Sequence, residues 1–254
     1  MRKLLLAFCL CIAANAFAQP KIYTVQNAHS HNDYEQKRPF WLAYEHRFGS
    51  IEADVFLRPN ELLVAHNEKE IRPDRTLRSL YLDPLKSMIL KNKGAVYPDP
   101  KRQLVLLIDC KIDGVATVAE IIRELKAYPD IINNKRVRIV ITGNQPSKDS
   151  LFTYPSFIWF DGDLTYNYTK KNLARVALFS ANFRDYSKWD GTGTLDAASK
   201  LVLEREIAKA RRAGKTVRFW GAPDTPNAWK TFEALGVGYI NTDKIAELTE
   251  FVHQ

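Results

Sequence analysis

Residues able to do acid–base and metal chemistry recur at short intervals in the N-terminal half of the chain. They fall in Asn27-Ala28-His29-Ser30-His31-Asn32-Asp33-Tyr34, in Glu52-Ala53-Asp54, at His66 and in Asp109-Cys110-Lys111. In an extended segment successive side chains alternate between faces, so Glu52 and Asp54 share one face, as do Asp109 and Lys111. Glu52, Asp54 and Asp109, with the amide carbonyl of Asn32, offer four hard oxygen donors. Such a set suits a divalent cation of the Ca²⁺ or Mg²⁺ kind better than zinc, which prefers nitrogen and sulfur. His31 and His66 would supply a base and an acid near neutral pH. Lys111 adds a fixed cation for a substrate oxyanion. The chemistry these groups describe is metal-assisted phosphoryl or acyl transfer, in which an ion neutralises charge on nonbridging oxygens.

To meet, these residues need a scaffold that gathers distant segments at one end. Short apolar or β-rich runs suggest strands at Tyr23–Ala28, Ser50–Leu57, Leu104–Asp109, Val137–Thr142, Ser156–Phe160, Val176–Ser180, Val217–Trp220 and Gly238–Ile240. Runs as continuous as Leu104-Val105-Leu106-Leu107-Ile108 are expected where both faces of a parallel sheet are covered. Between them lie helical patterns such as Val115, Val118, Ile122 and Leu125, and the stretch from Leu195 to Ala213, closed by Gly214 behind a basic last turn. A barrel of eight strand–helix units needs about 250 residues. A chain of 254 with eight strands alternating with helices is therefore expected to be a single-domain (β/α)8 TIM barrel, an α/β fold. Active-site residues of such barrels gather at the C-terminal ends of the strands, where these acids and histidines fall. No GxGxxG or GxxxxGK[ST] loop points to a nucleotide cofactor.

The block His29-Ser30-His31-Asn32-Asp33-Tyr34, with Ile51-Glu52-Ala53-Asp54-Val55 and Ala65-His66-Asn67-Glu68, resembles the superfamily of phosphatidylinositol-specific phospholipases C and glycerophosphodiester phosphodiesterases. SHNDY is similar to the SHNTY run of the eukaryotic phospholipases, and EADV to the E-x-D pair of both branches. The branch most similar is that of bacterial relatives of the altered inheritance of mitochondria proteins. Leu107-Ile108-Asp109-Cys110-Lys111 resembles the N-I-E-I-K segment of the phosphodiesterases. Val217-Arg218-Phe219-Trp220 and the run from Gly236 to Asp243, with its G-x-x-x-I-x-T-D pattern, resemble the closing strands.

The resemblance implies that His31 and His66 are the catalytic histidines and that Glu52, Asp54 and Asp109 bind the metal, with Asn32 as a further ligand. His29 competes with His31 for the catalytic position. His31 is favoured because Asn32 follows it, which leaves His29, with Trp220, as a substrate-binding candidate. Two departures stand out. The H-R-G motif of the glycerophosphodiesterases is absent, so its phosphate-binding arginine has no counterpart in strand one. Asp109 stands where Glu is usual, which shortens its reach by one methylene.

The implied activity is that of a phosphoric diester hydrolase acting on a glycerophosphodiester or a phospholipid head group. The substrate would be a small-molecule or lipid phosphodiester, and the protein a monomer. A rival reading takes His29-x-His31 as the HxH pair of an amidohydrolase or phosphoesterase barrel. Those zinc sites need further histidines on later strands, and none stands between His66 and His253. A non-enzymatic reading makes the barrel a receptor for an extracellular sugar or lipid head group, bound by Trp159, Phe160, Tyr166, Tyr168, Trp189 and Trp220. The tract from Asp161 to Ser187 and that from Asp190 to Thr194 are candidate substrate loops.

Residues 1–18 read as a secretory signal. Arg2 and Lys3 are its charged region, Leu4 to Ala13 its apolar region and Ala16-Phe17-Ala18 its cleavage site. The barrel domain would then run over residues 19–254, in a secreted or periplasmic protein without a stable membrane anchor. Cleavage removes two cations and no acid, taking the net charge from +8 to +6, and removes Cys9 and Cys11, so Cys110 has no partner for an internal disulfide. The remaining cations are scattered among acids. Their densest group, Lys209, Arg211, Arg212 and Lys215, falls at a helix end where cations complement exposed carbonyls. No nucleic-acid surface is expected.

Overall fold

A computed structural model describes residues 22–253. The signal segment and its two cysteines lie outside the described residues. Nine strands form one sheet: β1 (Ala28–Ser30), β2 (Ser50–Arg58), β3 (Glu61–Val64), β4 (Leu104–Cys110), β5 (Val137–Gly143), β6 (Ile158–Gly162), β7 (Val176–Asn182), β8 (Val217–Trp220) and β9 (Ile240–Thr242). Eight are parallel, in the order β8-β7-β6-β5-β4-β2-β1-β9. The sheet closes where Arg218 of β8 bridges Tyr239 just before β9, and the Val217 carbonyl accepts from Gly238 and Tyr239. The result is the expected eight-stranded α/β barrel. β3 is an antiparallel excursion that pairs with the last four residues of β2, Val55 to Arg58.

The helices are α1 (Trp41–Glu45), α2 (Asp83–Lys91), α3 (Gly114–Leu125), α4 (Pro129–Ile132), α5 (Lys170–Leu173), α6 (Ala197–Arg212), α7 (Pro226–Leu235) and α8 (Ile245–Val252). α3 and α6 lie where the periodicity puts them. Each starts at an aspartate whose side chain accepts a backbone N–H of the first turn: Asp113 from Ala116 and Asp196 from Ser199. The alternation of strand and helix is incomplete between β5 and β7. The β5–β6 connection, interrupted by Pro146 and Pro155, holds only a 3₁₀ turn at Leu151–Thr153, and the β6–β7 connection only the four residues of α5. Polar loops, rather than long helices, therefore form the rim on that side.

Along the strands, one parity faces the helices and the other the barrel interior. Ile51, Ala53 and Val55 of β2 and Leu104, Leu106, Ile108 and Cys110 of β4 join the large apolar core. Val105, Leu107, Val140, Ala177 and Leu178 form a separate small cluster, which fills the interior toward the strand starts. Toward the strand ends the same inward parity turns polar, at Glu52 and Asp54, at Asp109 after Leu107, at Thr142 after Val140 and at Ser180 after Leu178. The register places Asp54, Asp109 and Thr142 side by side on β2, β4 and β5.

Three strands start later than expected, among them β6, which is Ile158–Gly162 instead of Ser156–Phe160. Val25–Asn27 form a 3₁₀ turn, because Thr24 accepts the Gln26 amide and the Asn27 side chain accepts the Thr24 amide. The first strand is thereby pushed to Ala28–Ser30, which carries His29 into the sheet. The last strand is Ile240–Thr242 instead of Gly238–Ile240, the residues before it being used to close the barrel. Among the described residues no helix is long and apolar enough to cross a membrane.

Candidate active site

The three acids converge. Glu52, Asp54 and Asp109 each bring an oxygen within 4.8 Å of the others, and they are the one such group among the described residues. Burial and the charge of Asp54 push the Asp109 carboxyl up to about 6. Burial and Glu52 raise Asp54 as well. Crowded buried carboxylates of this kind are relieved by a cation. Oδ1 of Asp54 is buried and has no hydrogen-bond partner, while Oδ2 takes the Tyr34 hydroxyl at 2.6 Å and Lys111 Nζ at 2.6 Å. A Cβ on Gly143, which stands at φ +72°, would collide with Asp109 Oδ1, so the backbone of β5 is pared away to seat that carboxylate. An orphaned oxygen, an all-oxygen donor set and a fitted carboxylate together suit a hard divalent cation.

His31 follows β1, a neighbour of β2, and its Nδ1 lies 2.8 Å from Asp243 Oδ1 at the end of β9. Its side chain is 28% exposed. Burial opposes its positive charge, but the bond to Asp243 and the field of Glu52 outweigh burial and raise its pKa. His66 follows β3 and is 44% exposed, with Nδ1 3.0 Å from the Tyr34 hydroxyl and 3.4 Å from Asp54 Oδ2. The two histidines thus come from two strands that both pair with β2, on which Glu52 and Asp54 stand.

His29 is placed differently from expectation. It is 0% exposed, within β1, with Nδ1 2.7 Å from Ser50 Oγ and Nε2 2.9 Å from Glu52 Oε2. Burial and the charge of Arg218 lower its pKa to about 4, so it is neutral. A sealed ring cannot touch substrate; it orients Glu52. The HxH zinc arrangement does not form either, because the His29 and His31 rings are committed to different carboxylates and no third histidine joins them.

Lys111 reaches both Asp54 and Asp109, at 2.6 and 3.6 Å. Asn32 sits in the left-handed region (φ 44°), a conformation asparagine tolerates, with Oδ1 2.8 Å from the Tyr34 hydroxyl. Asp33 pins that turn by accepting from Ser30 Oγ, Phe40 N and Tyr81 Oη. Trp220, at the end of β8, is 44% exposed and lines a cavity of about 400 Å³ beside the cluster. A second cavity of about 380 Å³ lies at His66, with Arg72 and Arg75 in its wall.

Four residues at the site carry no role in the sequence reading. Tyr34 links Asn32, Asp54 and His66 through one oxygen. Asp243 holds His31. Arg218 is buried inside the barrel, with Nη1 2.6 Å from His29 Nε2, 3.2 Å from Glu52 Oε2 and 3.2 Å from Asn241 Oδ1. Although burial opposes ionisation of Glu52, Arg218 holds that carboxyl well below the usual carboxylate range. Strand one lacks an arginine, yet β8 delivers one to the same carboxylate. The available signal was a lone Arg among Val217, Phe219 and Trp220, at the inward parity of Trp220. Asp161, the fourth, is buried opposite Arg218 Nη2 at 4.0 Å.

A sequence profile of the AIM6-like phosphodiesterase domain matches residues 19–149, and one of the glycerophosphoryl diester phosphodiesterase family matches residues 216–246. The altered inheritance of mitochondria protein 6 of Eremothecium gossypii is 29% identical, over 88% of this chain and 68% of its own. Its homolog in Arthroderma benhamiae is also 29% identical, over 85% and 81%. These relatives are fungal, which corrects the expectation of a bacterial branch. A glycerophosphodiester phosphodiesterase from Parabacteroides distasonis superposes with a TM-score of 0.55 at 15% identity, covering 89% of this chain and 96% of that one, a likeness of fold. With more than half its length matched to the first profile, the chain belongs to the family of AIM6-like phosphodiesterase domains.

Proposed function

We propose that the protein is a metal-dependent phosphoric diester hydrolase, exported from the cytoplasm, that cleaves a glycerophosphodiester or a phospholipid head-group diester. One observation carries this reading: within the AIM6-like phosphodiesterase family, this chain holds two partly exposed histidines beside a three-carboxylate cluster. Glu52, Asp54 and Asp109, with Asn32, would hold Ca²⁺ or Mg²⁺. When bound, the cation would neutralise charge on the nonbridging phosphate oxygens.

The chain's own groups divide the remaining work. Asp243 fixes His31 through Nδ1, so Nε2 is the atom that takes a proton from the attacking hydroxyl, either water or a neighbouring hydroxyl of the substrate. His66 is tied through Nδ1 to Tyr34, which leaves its Nε2 to protonate the departing alkoxide. Lys111, close to Asp54 and Asp109, meets a phosphate oxygen brought to the cluster. His29 and Arg218 keep Glu52 ionised and in place.

The test is turnover of a panel of glycerophosphodiesters and inositol phospholipids with Ca²⁺ or Mg²⁺ added. Cleavage is expected with the native chain, and a loss of roughly 10²–10⁴-fold in His31→Ala and in His66→Ala, the size of an acid–base contribution. Full activity in both variants sinks the assignment.

A further inference from the structure

The cavity at the ends of β5 to β8 contains a feature that the phosphate chemistry does not use. Asp161, at the end of β6, is 4% exposed and lines that cavity. Its Oδ2 accepts from Thr142 Oγ1 at 3.0 Å, and the Ser180 hydroxyl and Arg218 stand beside the carboxylate, whereas Oδ1 is buried without a partner of hydrogen-bonding geometry. Gln145 lines the same cavity, and its Nε2 donates to the Asp161 carbonyl at 2.8 Å. That bond settles which end of the amide is which and leaves Oε1 buried and also unpartnered. An acceptor removed from water and left unpaired is destabilising. Two in one cavity mark a place for a ligand that donates hydrogen bonds.

Three of the cavity's donor side chains are engaged within the protein. Thr142 gives its proton to Asp161, Asn144 Nδ2 donates to the Lys111 carbonyl, and Lys148 Nζ pairs with Asp163 at 2.6 Å. Trp220 adds a flat apolar wall. The cavity also adjoins the carboxylate cluster, since Gly143 both lines it and abuts Asp109, and Thr142 lies beside Asp109 in register.

Resting on the phosphodiesterase reading, we propose that this cavity is the subsite for one alcohol portion of the diester, selecting a hydroxyl-bearing group through Asp161 and Gln145 against a quaternary ammonium group. A trimethylammonium head has no N–H or O–H to give, so it leaves both acceptors unpaired. A site built to bond a hydroxyl discriminates strongly against an analogue lacking it.

The experiment compares glycerophosphoglycerol with glycerophosphocholine, which share the glycerophosphoryl half, using the full chain with Ca²⁺ or Mg²⁺. Asp161→Asn, which turns an acceptor into a donor, and Gln145→Met, which removes one, are measured alongside, with melting temperatures to confirm folding. The wild type is expected to favour glycerophosphoglycerol in kcat/KM by roughly 10- to 100-fold, tenfold for each missing bond. Each variant should shrink that ratio about tenfold, mainly through KM. Turnover with an unchanged ratio in both folded variants overturns the subsite and leaves the phosphodiesterase reading standing. No turnover of either diester overturns that reading. Saturation-transfer NMR with glycerophosphoglycerol then decides the subsite separately: signal lost in Asp161→Asn supports it, and no binding to the wild type overturns it.

Discussion

The Tyr34 hydroxyl lies 3.0 Å from Nδ1 of His66, and the same oxygen is 2.6 Å from Asp54 Oδ2. A phenol has one proton, and Asp54 Oδ2, the acceptor at the shortest distance, takes it, which leaves the oxygen to accept from His66. The imidazole is thereby aimed by a residue that is itself buried. Tyr34→Phe keeps the ring packing and removes this tie. The expected result is a fall in kcat of roughly 10- to 100-fold, with a loss of about 1–3 kcal/mol in stability from the weakened partner set of Asp54. Steady-state kinetics and urea unfolding of the variant check both figures.

Cation binding should be visible without any substrate. Adding Ca²⁺ or Mg²⁺ relieves the mutual repulsion of Glu52, Asp54 and Asp109 and should raise the melting temperature in proportion to saturation. Asp54→Asn and Asp109→Asn should abolish most of that rise. Gly143→Ala, which thrusts a methyl against the Asp109 carboxylate, should weaken cation affinity about tenfold. Differential scanning calorimetry across a metal titration gives all four numbers.

Arg218 is the sole cation bonded to Glu52 among the described residues, and it faces Asp161 as well. Removing one partner from a buried ionic group leaves uncompensated charge, which typically costs about 3–5 kcal/mol. Arg218→Met is expected to lose that much in urea unfolding at pH 7. A loss below about 1 kcal/mol would show that the barrel interior tolerates these acids without it.

The pH dependence of stability carries the signature of Asp161. Burial pushes its folded-state pKa up to about 6, against 3.8 for an ordinary aspartate. Between those values the folded protein holds a proton that the unfolded chain has released, so stability falls as pH rises through the window. The contribution is fully present below 3.8 and lost above about 6. Relative to Asp161→Asn, the wild type should therefore lose up to about 3 kcal/mol between pH 4 and pH 7. Chemical unfolding of both proteins at half-unit pH steps tests the sign and the window.

Cys110 lies on the helix-facing side of β4, fully buried, and burial pushes its thiol well above the usual range. Thiolate chemistry is suppressed at such a site. Iodoacetamide at pH 8 should leave Cys110 unmodified in the native protein and label it after denaturation, as read by peptide mass spectrometry.

The sequence by itself determined the local facts. Alternation along β2 and β4 put Glu52 with Asp54 and Asp109 with Lys111, and eight strand-like runs alternating with helices in one chain of this size favoured a barrel over an open sheet. Helical spacing located α3, and the stretch closed by Gly214 behind a basic last turn located α6. What spacing could not supply was the meeting of segments 166 to 212 residues apart. Arg218 reaches His29 and Glu52, and Asp243 reaches His31, only because β8 and β9 close the sheet against β1. The 3₁₀ turn at Val25–Asn27 decides that His29 lies inside the strand and His31 at its mouth, so that two histidines of one motif have opposite exposure and opposite pKa shifts. Periodicity assigns a side chain to a face of its own element. Which charge lies opposite it, and therefore whether it is neutral or ionised, is fixed by barrel closure and register.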